Sequence, residues 1–308
     1  NTVIELINDA DAAFEIVSRS LSSGKNVVSA NKKMIAEHLD ELVELQEKYG
    51  TSLLYEGSVC GSIPIIRNLE EYYDNELLHS ISGIFNGSSN YILSKIANEG
   101  LEYSDALKQA QDLGFAEKDP LLDVGGYDPK FKLIIATAHA YGLFVRPDEV
   151  LNIGIQNFSS ADLHFAQEHN LKIKLVPTAK KLNEKELALY VIPRLVPKSD
   201  FLYNVENEYN AVSVKAAFAD QQLFYGKGAG GHPTGSAVLS DVAALRYDYR
   251  YEYKKYHQGS KLKLQNDHVI PLYIRYNNDH LINDIQFDFI AEQHKSIELK
   301  YILGGVKI

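Results

Sequence analysis

Carboxylates, lysines and glycines are concentrated in residues 114–133, GFAEKDPLLDVGGYDPKFKL. Glu117, Asp123 and Asp128 could hold a cationic group through charge-assisted hydrogen bonds. Lys132 follows Asp128 by one helical turn, and a lysine whose surroundings shift its pKa can donate or accept a proton. Two interpretations are open at this point. The segment is either a polar binding site with an acid–base lysine, or a solvated loop whose Asp–Lys pair contributes only about 0.3–0.5 kcal/mol.

Two helices are predicted on either side of this segment. Residues 104–114 begin at a serine and stop at a glycine, which are ordinary helix boundaries. The second helix is predicted to begin with Asp128 as N-cap and Pro129 in the first turn, and to end at Gly142. Its sequence IIATAHA is apolar enough for burial, so Lys132 near its start needs polar partners. This favours the binding-site interpretation.

The chain begins with the alternation of a parallel α/β sheet. TVIELI (residues 2–7), KNVVSANK and TSLLYEGSV are predicted strands, and they are separated by two amphipathic helices, the second at about residues 35–49. This order is Rossmann-like, although no G-x-G-x-x-G lies near the start. Residues 1–54 are therefore predicted to form a partial dinucleotide-binding domain.

The middle of the chain predicts a different architecture. Residues 55–227 contain LKIKLVPTAKKL, ELALYVIPRLVP and NAVSVKAAF, which indicate a mainly antiparallel sheet. Residues 228–256 are expected to return to the first domain, and residues 257–308 to form an extension in which LINDIQFDFIAEQH is a helix. The predicted fold class is α/β plus α+β.

Composition excludes several classes of function. The 308 residues carry a net charge of −10 without a basic stripe, which argues against nucleic-acid binding. No apolar run approaches the roughly 20 residues that span a bilayer. The single cysteine, Cys60, and the lack of a signal peptide predict a reducing, cytoplasmic location.

Further candidate residues follow predicted strands. Ser29, Ala30, Asn31 and Lys32 lie at the carboxyl end of a strand, where open α/β sheets bind ligands, although Lys32 could equally be a surface lysine. YEGSVCGSIPII is a tight turn whose carbonyl groups could coordinate a hard cation or could serve close packing. FNGSSNYIL begins a helix that is predicted to be capped by Ser88 or Ser89, and its free N–H groups suit a carboxylate.

Five segments, in order, resemble homoserine dehydrogenases: ANK, the YEGSV turn, FNGSSNYIL, the acidic segment with Lys132, and GKGAG with PTGSAV. Together they lie within residues 2–245. The sequence departs from the family at Phe115, where tyrosine is frequent, and at Ser62, where glycine is usual. By this comparison the glycine-rich first βαβ unit is missing, and a catalytically inactive fragment or a non-enzymatic amino-acid-binding or dimerising module is the alternative.

The resemblance implies NAD- or NADP-dependent interconversion of L-homoserine and L-aspartate 4-semialdehyde. Lys132 and Lys32 compete for the proton-transfer role, and Asp128 would hold Lys132 in place. The implied substrate-binding residues are Glu117, Asp123, Ser88 and Phe115.

The resemblance also implies the remaining ligands and partners. The cofactor would lie against Ser29, Ala30, Asn31, Lys32 and Gly228. A monovalent cation, Na⁺ or K⁺, would be bound by backbone oxygens of Glu56, Val59, Gly61 and Ile63. The family forms dimers through its substrate domain, so we expect a homodimer. Some members carry a C-terminal regulatory domain of the ACT type, so residues 257–308 are either about half of such an ACT-like domain or, as we favour, an extension that only packs or dimerises.

Overall fold

The computed structural model describes residues 1–74, 77–157, 159–259, 261–265, 268–276, 279–286 and 301–304. Within these residues the chain forms a three-stranded parallel sheet, a larger and mainly antiparallel sheet, and the helices that connect them. The predicted combination of an α/β layer with an α+β region is confirmed. None of the described helices is long and apolar enough to span a membrane.

The amino-terminal layer alternates strands and helices as predicted. Its elements are β1 (Thr2–Glu5), α1 (Ala10–Ser22), β2 (Asn26–Ser29), α2 (Lys32–Tyr49) and β3 (Leu53–Leu54). The strands run parallel in the order β1–β2–β3, as crossover helices require. Asp9 caps α1 and Asn31 caps α2, each by accepting a backbone N–H bond.

A connecting region leads to the second layer. It contains a 3₁₀-helix (Glu56–Ser58), α3 (Ile65–Arg67), a π-helical turn (Asn68–Tyr72), β4 (Leu78–Ile84) and α4 (Gly87–Glu99). The prediction that Ser88 or Ser89 caps α4 is wrong. Asn86 is the N-cap, and its side chain accepts the N–H of Ser89. The helix can begin this early because Gly87 has no side chain; a Cβ there would lie 2.6 Å from the carbonyl oxygen of Glu208.

Three helices contain or follow the acidic segment. They are α5 (Tyr103–Asp112), α6 (Leu121–Val124) and α7 (Tyr127–Tyr141). The prediction of Asp128 as the N-cap of α7 is wrong. Gly126, with a left-handed φ of 81°, makes the turn that starts the helix, so Asp128 lies inside the first turn. The predicted end at Gly142 is confirmed, and φ is 64° there.

Helix α7 is the central element of the molecule. All its residues from Asp128 to Tyr141 are buried, which is typical of a helix that is enclosed on every side. It packs against α2 on one side and against three strands of the larger sheet, including β4, on the other. The start of α7 therefore lies where both layers meet.

The larger sheet is built from the rest of the chain. Its strands and the remaining helices are β5 (Leu151–Asn152), α8 (Ser160–Glu168), β6 (Leu171–Asn183), β7 (Glu186–Pro197), β8 (Tyr209–Ala216), β9 (Asp220–Lys227), α9 (Gly231–Leu245), α10 (Lys254–His257), β10 (Lys263–Leu264), β11 (Val269–Tyr276), β12 (Asp279–Gln286) and β13 (Tyr301–Gly304), with 3₁₀-helices at Pro147–Glu149 and Phe201–Asn204. The order is β12–β11–β13–β7–β6–β4–β8–β9, and β5 and β10 also pair with β7. The β6–β7, β4–β6, β4–β8 and β8–β9 pairs are antiparallel, as predicted.

The carboxyl-terminal extension differs from its prediction. LINDIQ was predicted as the start of a helix, but it lies in β12, which pairs antiparallel with β11. Isoleucines are common in strands, and pairing with a neighbouring strand outweighs a weak helical pattern. The second half of the predicted helix lies outside the described residues. Strand β13 pairs with β11 and, at Gly304, with β7, so these strands extend the larger sheet.

Candidate active site

Lys132 and Asp128 form a buried ion pair at the start of α7. Lys132 is 5% exposed and Asp128 is 6% exposed. The ammonium Nζ donates to Asp128 Oδ2 at 2.7 Å and to the carbonyl oxygen of Phe85, at the end of β4, also at 2.7 Å. The interpretation of this pair as a solvated surface pair is therefore wrong.

Asp128 joins three elements through its carboxylate. Its second oxygen, Oδ1, lies 3.1 Å from the Nζ of Lys32, the first residue of α2. The side-chain amide of Asn86, which precedes α4, donates to Oδ2 at 2.9 Å. The same amide donates to Asp123 Oδ1 at 2.6 Å. We call these five residues (Lys32, Asn86, Asp123, Asp128 and Lys132) the lysine–carboxylate cluster.

The charges of the cluster determine its protonation. Burial favours the neutral form of Asp128, but the charges of Lys132 and Lys32 outweigh it and hold the pKa of Asp128 well below its usual range. The negative charge of Asp128 in turn raises the pKa of Lys32. Burial, and then the charge of Asp128, raises the pKa of Asp123. At neutral pH Asp128 is thus ionised, with both lysines on its carboxylate.

The other predicted substrate-binding residues border the cluster. Glu117 is exposed, and its charge is close enough to act on the pKa of Lys32. The hydroxyl of Ser88 donates to the backbone carbonyl of Phe115, and the Phe115 ring packs 4.9 Å from the ring of Tyr91. Ser88 and Phe115 therefore tie the start of α4 to the loop that carries Glu117.

The predicted cofactor-binding residues of the first layer lie at the end of β2. The hydroxyl of Ser29 donates to the buried carboxylate of Glu5 at 2.6 Å and accepts the N–H of Asn31 at 3.1 Å. The amide of Asn31 donates to the carbonyl oxygen of Ile7 at 3.0 Å. These side chains shape the loop before α2, and this loop carries Lys32 to Asp128.

The turn at Gly61, which was predicted to bind a cation, contacts the turn at Gly228, which was predicted to bind the cofactor. Gly61 has a positive φ of 54°, and a Cβ there would lie 2.7 Å from the carbonyl oxygen of Gly228. The N–H of Ser62 donates to the carbonyl oxygen of Lys227. A side chain at Gly61 would separate the two turns, so glycine is required for this close approach.

The carboxylate of Glu56 is engaged inside the protein. It accepts the N–H groups of Ile66 at 2.8 Å and Arg67 at 3.1 Å. Burial, and then the charge of Asp241, raises the pKa of Glu56 to about 8. Its side chain is therefore a structural acceptor, and the carbonyl oxygens of the turn are the groups that remain for a cation.

Asn86 is the cluster residue that sequence reasoning missed. The sequence predicted Ser88 or Ser89 as the cap of α4, whereas Asn86 caps this helix. Nothing local indicated that the amide would also bridge Asp123 and Asp128. These observations define a Rossmann-type α/β protein with a buried lysine–carboxylate site between its two sheets.

Comparison with known proteins identifies the family. A family model for homoserine dehydrogenase matches residues 64–243 of this chain. The homoserine dehydrogenase of Neisseria gonorrhoeae is 40% identical over 242 residues, which make up 79% of this chain and 55% of that protein. The enzyme of Lactococcus lactis is 36% identical over 245 residues, 79% of this chain and 56% of that protein. The chain belongs to the homoserine dehydrogenase family.

Solved structures agree with this assignment. A homoserine dehydrogenase from Thiobacillus denitrificans superposes with a TM-score of 0.88 at 26% identity, and the match covers 100% of this chain and 82% of that one. A hyperthermophilic archaeal homoserine dehydrogenase in complex with NADPH superposes with a TM-score of 0.70 at 28% identity, covering 81% and 72% of the two chains. This chain spans a little over half the length of the two sequence relatives, 55% and 56%. The alternative of a non-catalytic module finds no support in these comparisons.

Proposed function

We propose that this chain catalyses the NAD(P)-dependent interconversion of L-homoserine and L-aspartate 4-semialdehyde, a step in amino-acid biosynthesis. The observation that carries the proposal is the buried Lys132–Asp128 pair with Lys32 on the other carboxylate oxygen. A structural ion pair needs only one cation for one carboxylate. Two lysines that converge on Asp128 suit a site where an alkoxide develops and needs a proton donor.

Lys132 is the proton carrier in this proposal. An ammonium group has three donors, and the Lys132 Nζ uses two of them on Asp128 and Phe85, so one remains for the substrate oxygen. Asp128 holds Lys132 and Lys32 at fixed positions and balances their charge. Lys32, whose side chain is 41% exposed, is placed to contact the same oxygen from the side of the first layer.

The polar ends of the amino acid are bound by the acidic loop and α4. Glu117 and Asp123 bind the substrate ammonium group through charge-assisted hydrogen bonds. The N–H groups at the start of α4, beside Ser88, bind the carboxylate, because the positive end of the helix dipole lies there. Phe115 closes this part of the site through its contact with Ser88.

The residues at the end of β2 and at Gly228 are those that hold the cofactor, either NADP or NAD. Their fit rests on the two glycines, Gly61 and Gly228, which present backbone rather than side chains where the two turns meet. When bound, the nicotinamide supplies or accepts the hydride. The parallel sheet ends at the loop formed by Ser29, Ala30, Asn31 and Lys32. This end of the sheet is the usual ligand position in such folds.

A monovalent cation, Na⁺ or K⁺, is the remaining proposed ligand. The backbone oxygens of Glu56, Val59, Gly61 and Ile63 are the donors we assign to it. The turn is tight, since Cys60 and Gly61 both have positive φ values, and Val59 and Ile63 are buried. A cation here would hold the carbonyl oxygens of the turn together.

The wider organisation follows the same proposal. We propose that residues 1–54 and 228–256 form the partial dinucleotide-binding domain, residues 55–227 the substrate-binding and dimerisation domain, and residues 257–308 the extension. Strand β9, at one edge of the larger sheet, exposes 54% of Tyr225 and 36% of Leu223, which suits a homodimer contact. The proposed enzyme acts on a small amino acid in the cytoplasm.

Two lysine substitutions and one control test the proposal. Lys132→Met should lower kcat for homoserine oxidation by about 10²–10⁴-fold, the usual contribution of a general acid–base group. Lys32→Met separates the two lysines, and Lys108→Met is the control, since Lys108 forms an exposed i,i+4 pair with Asp112. The measurement is homoserine-dependent formation of reduced cofactor, followed by absorbance.

The outcomes distinguish the parts of the proposal. Near-normal kcat in Lys132→Met with loss of activity in Lys32→Met would move the proton-transfer role to Lys32. If neither substitution changes kcat, the cluster has no catalytic role. A wild-type chain that neither binds reduced cofactor nor turns over homoserine would contradict the proposed function as a whole.

A further inference from the structure

The side chain of Asn210, the second residue of β8, is buried without an oxygen or nitrogen partner. It is 0% exposed, and neither Oδ1 nor Nδ2 has such a partner among the described residues; the Cys60 thiol, a weak acceptor, is the polar group that the amide acts on. Asn90, also buried, shows the contrast. Its amide nitrogen donates to the carbonyl oxygens of Val205, Asn207 and Tyr209, and its oxygen accepts from the buried ammonium of Lys174 at 3.0 Å.

An unpartnered amide at Asn210 is costly for folding. A buried donor or acceptor that lacks a partner costs about 1–3 kcal/mol, whereas an apolar group of similar shape is nearly neutral. In its present orientation the Asn210 amide therefore gives the fold little beyond a weak interaction with the Cys60 thiol.

The position of Asn210 connects this amide with the proposed active site. A Cβ at Gly228 would lie 2.0 Å from Asn210 Nδ2, and a Cβ at Gly87 would lie 3.5 Å from Asn210 Oδ1. The amide thus faces the turn proposed for the cofactor on one side and the first residue of α4 on the other.

Cys60 links the amide to the lysine–carboxylate cluster. Burial raises the pKa of the Cys60 thiol to about 11, while the charge of Lys132 and the neighbouring Asn210 amide act to lower it. The charge of Lys132 and the amide of Asn210 thus both act on the Cys60 thiol.

We propose that Asn210 is a cofactor-positioning residue whose side-chain amide pairs with the carboxamide of the nicotinamide ring. This inference rests on the proposed function. A primary carboxamide presents one acceptor and one donor in the same plane, so reciprocal pairing satisfies both atoms of Asn210 at once. A carboxylate would satisfy only the nitrogen and leave the oxygen of Asn210 without a donor.

Binding requires the turn at residues 227–231, which covers Asn210, to shift. Ala229 to Gly231 in this turn are exposed, and the following helix begins at Gly231. The shift would break the contact between Gly61 and Gly228 and the hydrogen bonds from Ser62 to the carbonyl oxygen of Lys227. Gly228 is the residue that lies on the amide, and any side chain there would collide with it.

The first experiment uses the protein without ligand. Asn210→Ala should leave the Tm within about 3 °C of wild type or raise it, because removal of the amide leaves no polar atom without a partner. Asn90→Ala is the matched control and should lower the Tm by more than about 5 °C, since Lys174 and three carbonyl oxygens lose a partner. Asn210→Leu, which keeps the branched shape at Cγ without the polar atoms, separates the loss of packing from the loss of the amide.

The second experiment measures cofactor binding by calorimetry. The 3-acetylpyridine analogue of NADP has the ring carbonyl but no amide donor. Wild type should bind NADP about tenfold more tightly than this analogue, because one hydrogen bond is lost. Asn210→Ala and Asn210→Leu should bind the two with nearly equal affinity.

Each outcome decides the inference. If both Asn210 variants lose as much Tm as Asn90→Ala, the amide is structural and the inference is wrong. If the variants fold and still bind NADP tenfold more tightly than the 3-acetylpyridine analogue, the amide does not contact the carboxamide. A raised KM for homoserine with an unchanged cofactor preference would assign the amide to the amino acid instead, which also overturns the inference. A wild type that binds neither cofactor overturns the proposed function, and this inference with it.

Discussion

The free energy of unfolding should fall when Asp128 is replaced by Asn. The substitution keeps the shape of the side chain and removes its charge. Asp128 contacts the ammonium groups of Lys132 at 2.7 Å and of Lys32 at 3.1 Å. Without it, the charge of Lys132, which is 5% exposed, keeps only the carbonyl oxygen of Phe85 as a described partner.

The size of the effect follows from burial. Removing one partner of a buried ion pair destabilises a protein by about 3–5 kcal/mol, because an uncompensated charge remains. The new amide oxygen can still accept one hydrogen bond, and Lys32, whose side chain is 41% exposed, can turn towards water. We therefore expect a loss of about 2–3 kcal/mol, at or below the lower end of that range.

The assay is urea unfolding at several pH values, with a matched surface pair as control. Lys108 and Asp112 are also an i,i+4 pair, at 3.0 Å, but their side chains are 73% and 65% exposed. Asp112→Asn should change the free energy of unfolding by less than about 0.5 kcal/mol.

The pH dependence has a definite sign. The pKa of Asp128 is held below its unfolded value, so its contribution is present above about pH 4 and is lost as pH falls through the folded pKa. The difference between wild type and Asp128→Asn should therefore shrink as pH is lowered below about 4. A loss no larger than that of Asp112→Asn, or a difference that stays constant down to pH 3, would refute the buried-charge explanation.

Three further predictions follow from the site and the sheet. Glu117→Ala should raise KM for homoserine several-fold and leave the Tm nearly unchanged, because Glu117 is exposed and is proposed to bind the ammonium group. Steady-state kinetics and a melting curve test this prediction, and an unchanged KM would contradict it. Burial lowers the pKa of Lys174 to about 8, so the unfolded state binds more protons than the folded state between pH 8 and 10. The stability of wild type relative to Lys174→Met, measured by urea unfolding, should therefore increase as pH rises through this window. A flat difference between the two proteins would show that Lys174 titrates normally. The homodimer is checked by light scattering at micromolar concentration, where a monomer mass would be evidence against it.

Several elements could be predicted because their signals are local. The strands and helices of the first layer follow from apolar periodicity with Asp, Asn and Gly at the boundaries, and α7 ends at Gly142 as predicted. The prediction of Asp128 as the N-cap of α7 failed, because the left-handed turn at Gly126 starts the helix two residues earlier. The helix predicted from Leu281 failed because pairing with β11 provides hydrogen bonds that a local pattern does not reveal.

By itself, the sequence determined the chemical groups of the candidate site and their order along the chain. Asp128 and Lys132 could be paired in advance, since a spacing of four residues places them on one face of a helix. Only the tertiary structure decided that this pair is buried, that Lys32 reaches the second oxygen of Asp128, and that Asn86 bridges Asp123 and Asp128. Those contacts join α2, the end of β4 and α7, and contacts between elements depend on how the whole core packs, which no local spacing specifies.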